Sequence, residues 1–573
     1  MNKRIVTILV VVMLAAGAGV YGMKFFRSGE QVSYAAYLPQ DTIATISLTH
    51  LKELKATFAT SPLGKFLAKD TMAAILDELQ AQPETITNYN KAYDDVAEVM
   101  HNPAFLSVFG DDTSLGILPP NVAALDATPE EEVKRSLVVF ATTAASGALE
   151  SFAKLVVSDS VSTEQVEGKK LTKIRVDEQV TIYGVADSGT VLLSYNPQTL
   201  VRCLQIKESG QTLATTSAFQ AAEAFWQKGQ AGTVYSRSFV NPVSLQKLFE
   251  GAEATEAKDI AAYLNGFTFI ASLSFAQGDT LYSDSKAGFV KEQLHEWIKA
   301  AIDDQVDANN TLHLLTESSL LYDWSSALSP EMMLSSFKAG DAKQAEELDL
   351  MMQQNLGVSL EELFSAIGPQ YGFLIQDIVN TGVFPVPKMV AFVEARDRQK
   401  MHMIFDALRK QINHSGFTQE QQLDAGGQTV YYWSLLPGEA TQLSMMLTEN
   451  MLYVANGSSA LKDIALSGSP HDKLSPAVAA KLGKAFSAQV EAGGFGTLML
   501  YPAQLAQDLQ EVAQWLFNTL SATQGVSAFR LGQEILKLME AYEVLGVTSS
   551  LNDESAESQF ILKKLPQSGD AQE

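Results

Sequence analysis

The sequence is almost without cysteine, since Cys203 is the only one among 573 residues. An intrachain disulfide, a CxxC redox motif and a zinc site built from several cysteines are therefore excluded. The apolar neighbours of Cys203 predict a buried, unreactive thiol. Basic residues are also scarce, because 41 lysines and arginines stand against 66 aspartates and glutamates, for a net charge of -25. A body of this charge is repelled by phosphate backbones, so we predict no nucleic-acid partner.

The motifs of common catalytic and cofactor sites are absent as well. The sequence has no GxSxG nucleophile elbow and no GxxxxGK phosphate loop, and the match to the HExxH zinc motif that begins at His295 has Lys299 in place of the second histidine. Gly17–Gly22 does spell GxGxxG, but no amphipathic helix follows that could hold a pyrophosphate. We therefore predict no metal, no dinucleotide and no other cofactor.

The N-terminus carries a long apolar segment. Ile5–Met23 is uncharged and, as a helix, spans roughly 28 Å, which matches the hydrocarbon core of a bilayer. The segment is either a retained transmembrane anchor or a signal peptide cleaved after Ala16–Ala18. We expect the anchor, because apolar residues continue to Met23. Long domains cross membranes largely regardless of flanking charge, so the body is expected outside the cytoplasm, on the periplasmic side of the inner membrane in a Gram-negative cell.

The rest of the chain contains internal repeats. Val191–Asn196 resembles Met451–Asn456, and Pro242–Leu245 resembles Pro502–Leu505, in the same order and at the same spacing. Ordered matches at constant spacing indicate a tandem duplication. The predicted domains are a membrane segment at 1–30, a first repeat at 31–300, a second repeat at 301–565 and a polar tail at 566–573.

Each repeat is predicted to be α+β. Strand-like segments come in groups separated by turn residues, as at Leu171–Val176, Val180–Val185 and Val191–Tyr195, and do not alternate with helices. Such grouping favours antiparallel sheets. Amphipathic segments such as Ala218–Lys228 are expected to be helices that cover one face of the sheet. The predicted architecture is thus an N-terminal transmembrane helix followed by two similar α+β domains.

Several short motifs carry a family resemblance. Tyr37–Thr42 opens a strand after the exported segment, Ser61–Gly64 precedes a helix, and Phe109–Asp111 follows further on. Over nearly its whole length the chain resembles a widespread bacterial family of exported, membrane-anchored proteins that is catalogued only as a domain of unknown function. The resemblance implies export, membrane attachment and a duplicated α+β body. It supplies no catalytic residues.

One enzyme alternative stays open at this point. Ser151–Lys154 (SxxK), Ser194–Asn196 (SxN) and Lys286–Gly288 follow the order of the three boxes of penicillin-binding proteins and serine β-lactamases. In an exported acyl hydrolase of that kind, Lys154 would activate the Ser151 hydroxyl beside Asn196. Two observations weaken the alternative, since the third box has Ala287 where a hydroxyl residue is required and Asn196 resembles Asn456 in the other repeat.

The leading hypothesis is a non-enzymatic envelope protein. It is attached to the membrane by its N-terminal helix and binds an envelope protein or an apolar ligand, without a catalytic residue. Methionine pairs in the second half, such as Met351/Met352 and Met401/Met403, fit either a packed core or an adaptable apolar groove. Glu130–Glu132 are expected to be solvated residues at the start of a helix.

Overall fold

The computed structural model describes residues 34–566, except for 51, 54–57, 102–105, 107–108, 111, 126–127, 143–160, 176–180, 251–254, 304–305, 307, 328, 341, 381–384, 417, 435–437, 468–472 and 525–526. The predicted membrane segment at 1–30 and the predicted tail from residue 567 onward lie outside the described residues. Within the described part of the chain, no helix combines the length and the apolar character needed to cross a bilayer.

The structure confirms the α+β class, with twenty strands in the described part of the chain and helices between them. Residue contacts divide the chain into two compact units. The first unit extends to His295 and also takes in Glu554–Glu557. The second unit contains Glu296–Asp553 and the residues that follow Glu557.

The first unit contains one antiparallel sheet of ten strands. Its hydrogen-bonded order is β4-β5-β6-β7-β3-β2-β1-β8-β9-β10. The strands are β1 (Ala44–Thr49), β2 (Asp112–Ile117), β3 (Leu137–Thr142), β4 (Val161–Val166), β5 (Lys169–Arg175), β6 (Thr181–Asp187), β7 (Thr190–Ser194), β8 (Thr233–Val240), β9 (Phe267–Gln277) and β10 (Thr280–Phe289).

The described helices of the first unit connect these strands. They are α1 (Pro62–Phe66), α2 (Lys69–Glu78), α3 (Pro83–His101), α4 (Val122–Leu125), α5 (Pro129–Ser136), α6 (Pro197–Ser209), α7 (Ser217–Trp226), α8 (Pro242–Glu250) and α9 (Thr255–Leu264), with short 3₁₀ turns at Tyr34–Ala36, Leu213–Thr215, Gln227–Ala231 and Lys291–Gln293.

Turn chemistry explains the predicted hairpin between β6 and β7. Ser188 and Gly189 both have positive φ values, 50° and 80°. A two-residue turn of this kind matches the right-handed twist of the strands that flank it. Glycine reaches such a backbone conformation without the steric penalty of a Cβ atom. The sequence Asp187-Ser188-Gly189 therefore predicts the turn correctly.

The core of the first unit lies on both faces of the sheet. On one face, Phe140 and Leu192 pack with Leu200 of α6 and Phe219 of α7. Cys203 belongs to the same cluster and is fully buried, as predicted from its neighbours. A smaller cluster occupies the opposite face and contains Phe109, Ala141, Ile174, Val191 and Leu193.

Among the described residues, the second unit contains ten strands with the order β14-β15-β16-β17-β13-β12-β11-β18-β19-β20, and only the first residues of β20, up to Glu557, are assigned to the first unit. Subtracting ten from each label gives the order of the first unit. The strands are β11 (Leu321–Ser325), β12 (Ile367–Asn380), β13 (Pro385–Ala395), β14 (Gln421–Ala425), β15 (Gln428–Ser434), β16 (Gln442–Leu447), β17 (Met451–Ala455), β18 (Gly496–Leu500), β19 (Tyr542–Leu551) and β20 (Ser555–Lys564).

The described helices of the second unit match those of the first in the connections after β11, β17 and β18, whereas the β12–β13 connection has no described helix like α4 or α5. They are α10 (Glu296–Asp303), α11 (Pro330–Gly340), α12 (Ala342–Leu356), α13 (Leu360–Ala366), α14 (Arg398–His414), α15 (Ser458–Leu466), α16 (Pro476–Leu482), α17 (Lys484–Glu491), α18 (Pro502–Gln524) and α19 (Phe529–Glu540), with 3₁₀ turns at Leu312–Leu314 and Glu439–Thr441.

The methionine pairs of the second unit divide between core and surface. Met401 and Met445 are buried in a cluster with Phe405 and Trp433. Met351 and Met403, by contrast, keep 51% and 54% of their surface exposed. Their partners Met401 and Met352 pack in or against the same cluster, so core packing explains the inward member of each pair.

Candidate functional site

A polar cleft in the first unit is the candidate site. It has a volume of about 340 Å³. Three short segments form it: the residues after β2, the helix α5, and the beginning of α6. The lining residues are Leu118, Pro119, Pro120, Asn121, Glu132, Arg135, Ser136, Asn196, Gln198, Thr199 and Arg202.

Sheet pairing brings these segments together. α5 ends at Ser136 and β3 begins at Leu137, so the helix leads directly into the strand. β3 pairs with β7, with Val139 opposite Leu193, and β7 is followed at once by α6. The C-terminal end of α5 and the N-terminal end of α6 therefore lie side by side, where β3 begins and β7 ends.

Asn196 begins α6 as its N-cap. The side-chain oxygen accepts a hydrogen bond from the Gln198 main-chain N–H at 3.1 Å, and the Asn196 N–H donates to the Ser194 hydroxyl at 3.2 Å. Asparagine is among the preferred N-cap residues because its side chain satisfies an N–H that the helix leaves unpaired. Asn196 also lines the cleft.

Glu132 differs from its predicted solvated state. Its side chain is only 7% exposed, and one carboxylate oxygen lies 2.8 Å from Nη1 of Arg135. The other oxygen accepts from the Asn121 main-chain N–H at 3.4 Å. The prediction was wrong for this residue because the helix start is packed against the segment after β2. A buried carboxylate needs such partners, since an unpaired buried charge is very costly.

Arg202 supplies the second guanidinium of the cleft. Its Nη2 lies 3.2 Å and 3.3 Å from the two carboxylate oxygens of Asp41, which is on the turn before β1. The Arg202 and Asp41 side chains are 46% and 55% exposed. A pair this exposed contributes little to stability.

The hydroxyl groups around the cleft all donate to main-chain carbonyls. Ser136 donates to the Glu132 carbonyl at 2.8 Å, and Thr199 donates to the Arg135 carbonyl at 2.9 Å. Ser194, next to the cleft, donates to the Leu137 carbonyl at 2.8 Å. A serine or threonine nucleophile needs its proton directed to a base. These three hydroxyls are therefore structural ties.

Only some of the residues that the acyl hydrolase alternative requires are among the described residues. Ser151 and Lys154 lie outside the described residues. Asn196 is at the cleft, whereas Lys286 is on β10 and its Nζ lies 2.7 Å from a carboxylate oxygen of Glu557 in the same unit. Six strand spacings separate β7 from β10, which is about 29 Å along the sheet. One substrate does not reach both the SxN and the Lys286 segments.

The chain was compared with known proteins. No family model matches it, and no curated protein matches it. Among solved structures, it is similar to a chain described as crystal form I of TP0453, with 7% identity and a TM-score of 0.20. The similarity covers 49% of this chain and 88% of that chain. A likeness of this size carries no argument about fold or function.

The second unit places a different residue at the position of Asn196. Phe140 lies opposite Leu192 in the first unit, as Phe392 lies opposite Tyr453 in the second. Counting onward from these pairs, Asn196 corresponds to Gly457, which is the N-cap of α15. The sequence match to Asn456 was thus one residue out of step.

Asn456 has a different structural role from Asn196. Its side-chain amide donates to the Pro387 carbonyl at 2.6 Å and accepts from the Met389 N–H at 2.8 Å, so it ties β17 to β13. The shared asparagine misled the sequence comparison because helix N-caps tolerate glycine as well as asparagine. Asn196 therefore has no asparagine counterpart in the second unit.

A second polar cluster was missed in the sequence. The Lys207 Nζ donates to the Asp187 carboxylate at 2.6 Å, to the Tyr37 hydroxyl at 2.8 Å and to the Ser188 hydroxyl at 3.0 Å. The hydrogen bond from Lys207 lowers the pKa of Asp187 despite partial burial. Burial opposes the charge of Lys207, but its bonds to Asp187 and Tyr37 outweigh that effect and raise its pKa.

This cluster is suited to holding the chain and not to catalysis. A catalytic lysine nucleophile needs a lowered pKa so that the amine is free. Burial raises the pKa of the Tyr37 hydroxyl, so that group is not poised to act as a base either. The cluster instead fixes Tyr37, at the start of the described chain, to the β6–β7 hairpin and α6.

Proposed function

We propose that the protein is an exported, membrane-anchored envelope protein whose body binds a partner or ligand without catalysing a reaction. The anchor is the N-terminal apolar segment, and the body is on the outer side of the membrane. The partner is an envelope protein or a ligand with an apolar part. The chain requires no cofactor in this role.

The observation that carries the non-catalytic assignment is the state of the hydroxyls at the cleft. Ser136, Ser194 and Thr199 each donate to a main-chain carbonyl. The Lys286 amine, which the alternative needs at the same site, is paired with Glu557 and about 29 Å away along the sheet. These facts favour binding over acyl transfer.

The two units are proposed to be a tandem duplication. Their common strand order supports this origin, and so does a reciprocal pair of buried residues. In the first unit, the Tyr34 hydroxyl lies 3.3 Å from the Thr45 hydroxyl. In the second, the Thr311 hydroxyl lies 2.7 Å from the Tyr322 hydroxyl. In the first unit the tyrosine is in the 3₁₀ turn and the threonine is in the strand, whereas in the second unit the threonine is at the 3₁₀ turn and the tyrosine is in the strand. The contact between the two side chains is the same.

The main chain around this contact is also alike in both units. The Ile43 N–H donates to the Ile117 carbonyl at 2.8 Å, as the Leu320 N–H donates to the Ile375 carbonyl at 2.8 Å. A repeated fold that keeps its main-chain bonds while exchanging side chains is what duplication followed by divergence produces.

A retained anchor limits where the first unit can be. Ten residues lie between Met23 and Tyr34. Fully extended, they reach at most about 36 Å. Since Tyr34 and Tyr37 are buried in the first unit, that unit would stay close to the bilayer surface. The position suits a protein that meets its partner at the membrane.

The test of the non-catalytic assignment is labelling with a fluorescent β-lactam. Membranes containing the wild-type chain and a Ser151→Ala variant are labelled in parallel, with a known penicillin-binding protein as the positive control. We expect no label on either chain. A label on the wild type that disappears in Ser151→Ala would establish the acyl hydrolase and overturn the proposal.

A further inference from the structure

The cleft brings two arginines together in a strongly acidic protein, and each of them is paired with one carboxylate, Arg135 with Glu132 and Arg202 with Asp41. Two arginines and one glutamate are the charged residues of its lining, whereas the whole chain has a net charge of -25. Glu132 is paired with Arg135 and is almost fully buried. The positive end of the α6 helix dipole lies at the same place, through Asn196 and Gln198. The N-terminus of α6 and the guanidinium N–H groups outside these two ion pairs favour an anionic ligand here over a cationic one.

Both guanidinium groups keep donors for a ligand. Among the described residues, the Arg135 side chain is bound by Glu132 through Nη1, and the Arg202 side chain is bound by Asp41 through Nη2. Each guanidinium carries five N–H donors in a planar fork. The side chains are 56% and 46% exposed, so the remaining donors are accessible. Such forks match the two oxygens of a carboxylate.

The second unit shows that the fold does not need these polar residues. Aligned on the buried residues of α6 and α15, Arg202 corresponds to Asp463, Thr199 to Ala460 and Asn196 to Gly457. The second unit keeps the same strand order with none of the three. Asn196 and Thr199 have structural roles in the first unit, as the N-cap of α6 and as a tie to the Arg135 carbonyl, so Arg202 is the residue of the three that a ligand would explain.

We infer that the cleft binds the carboxylate of a small ligand, either a free organic acid or the C-terminus of a peptide. The inference rests on the proposed binding function and names the chemical group that is recognised. In this site Arg135 and Arg202 bind the carboxylate of the ligand. The side-chain amides of Asn196 and Gln198 donate to other oxygens of the ligand, and Leu118–Pro120 contact its apolar part. The volume of about 340 Å³ accommodates a small molecule.

Isothermal titration calorimetry on the detergent-solubilised full chain tests the inference. The probes are succinate, N-acetyl-alanyl-alanine, the C-terminal amide of that dipeptide, and inorganic phosphate. We expect at least one carboxylate probe to bind and the amide to give no heat. Binding of succinate alone identifies a free acid, and binding of the dipeptide alone identifies a peptide terminus. Binding of the amide as well as its acid, or of phosphate more tightly than both carboxylates, would overturn the inference.

Arg202→Gln is the decisive variant, because this exposed side chain can be replaced with little effect on folding. We expect the affinity for the carboxylate probe to fall at least about tenfold, as for the loss of a charged hydrogen bond. Asn196→Gly, which installs the residue of the second unit, should weaken binding less. Arg398→Gln removes a still more exposed arginine of the second unit, which is paired with Glu449, and this variant should bind like the wild type.

The outcomes separate this inference from the proposed function. No heat with either carboxylate, or equal losses in Arg202→Gln and Arg398→Gln, overturns the carboxylate site and leaves the non-catalytic assignment untouched. Turnover of a bound carboxylate probe would instead overturn the non-catalytic assignment while the recognised group stands.

Discussion

Two buried tyrosines of the second unit differ in what surrounds their hydroxyl groups. The Tyr322 hydroxyl accepts from the Asn309 side-chain amide at 2.8 Å and lies 2.7 Å from the Thr311 hydroxyl. The Tyr453 hydroxyl is equally enclosed, but within the described part of the chain it has no hydrogen-bond partner. The two residues are therefore a matched pair for measuring the value of a buried polar contact.

Removing each hydroxyl should have opposite consequences. Tyr322→Phe leaves the Asn309 amide without its acceptor, and we expect the free energy of unfolding to fall by about 1–3 kcal/mol. Tyr453→Phe removes an unsatisfied polar atom, so we expect stability to be unchanged or slightly higher. Urea unfolding followed by circular dichroism measures both. Equal losses in the two variants would contradict the hydrogen-bond pattern described above.

Asp187 links the stability of the first unit to pH. Its pKa is lowered, chiefly by the hydrogen bond from Lys207 and further by the Tyr37 hydroxyl, against partial burial. A pKa that is lower in the folded state than in the unfolded state stabilises the protein at pH values above the unfolded-state pKa of about 3.9. This stabilisation is lost as the pH falls through the lower, folded-state pKa. The stabilising effect of Asp187 is thus present at neutral pH.

Asp187→Asn tests this linkage. The stability difference between wild type and variant should be constant from about pH 8 to pH 5 and should shrink below about pH 4, where Asp187 becomes protonated in the unfolded chain before it does in the folded protein. Urea unfolding midpoints over that pH range are the measurement. A difference that grows on acidification, or that does not change with pH, would show that Lys207 does not hold the carboxylate.

At the scale of elements, the hairpin of α18 and α19 depends on one glycine. A Cβ atom at Gly532 of α19 would lie 1.7 Å from the Phe517 ring of α18. In an exposed helix interior, Gly→Ala stabilises by about 1 kcal/mol. Here the overlap should outweigh that gain.

Gly532→Ala is therefore expected to destabilise the protein by about 1–3 kcal/mol, which is typical of an overpacked interface. Phe517→Leu replaces the ring that causes the overlap with a shorter side chain. The double variant should therefore lose less stability than the sum of the losses in the two single variants. Thermal unfolding of the four proteins in the cycle measures this coupling. A gain of stability in Gly532→Ala alone would contradict the close helix approach.

The sequence predicts elements well where one face of a strand is buried. β5 and β6 were found because apolar and polar residues alternate, and β7, which is buried along its whole length, was found as a short apolar run that follows turn residues. β4 and β14 were not found, because each is at the edge of its sheet and consists mostly of exposed polar residues, as in Val161–Val166. An edge strand with two solvated sides leaves no periodic apolar signal.

The cleft could not be predicted in the same way. Its residues come from three segments separated by up to about eighty positions, and only the pairing of β3 with β7 brings them together. The available signals were local: Pro119-Pro120 ends a strand, and Thr128-Pro129 begins a helix. They mark element boundaries and do not reveal which boundaries meet.

At the scale of the whole molecule, the duplication makes a prediction about the exchanged residue pair. Tyr34→Thr or Thr45→Tyr alone disrupts the buried contact in the first unit. The double exchange installs the arrangement of Thr311 and Tyr322, so it should be more stable than the sum of the two single effects by about 0.5–3 kcal/mol. Urea unfolding of the four proteins measures the coupling. Additive losses would indicate that the two contacts are not equivalent.

The central claim is that the apolar leader holds a two-unit binding body on the outer side of a membrane. The most direct measurement fuses alkaline phosphatase, which is active only after export, or green fluorescent protein, which folds in the cytoplasm, to the C-terminus after Glu573. The account predicts phosphatase activity that stays with carbonate-washed membranes and no fluorescence from the parallel fusion. Fluorescence in the soluble fraction together with an inactive phosphatase would contradict it.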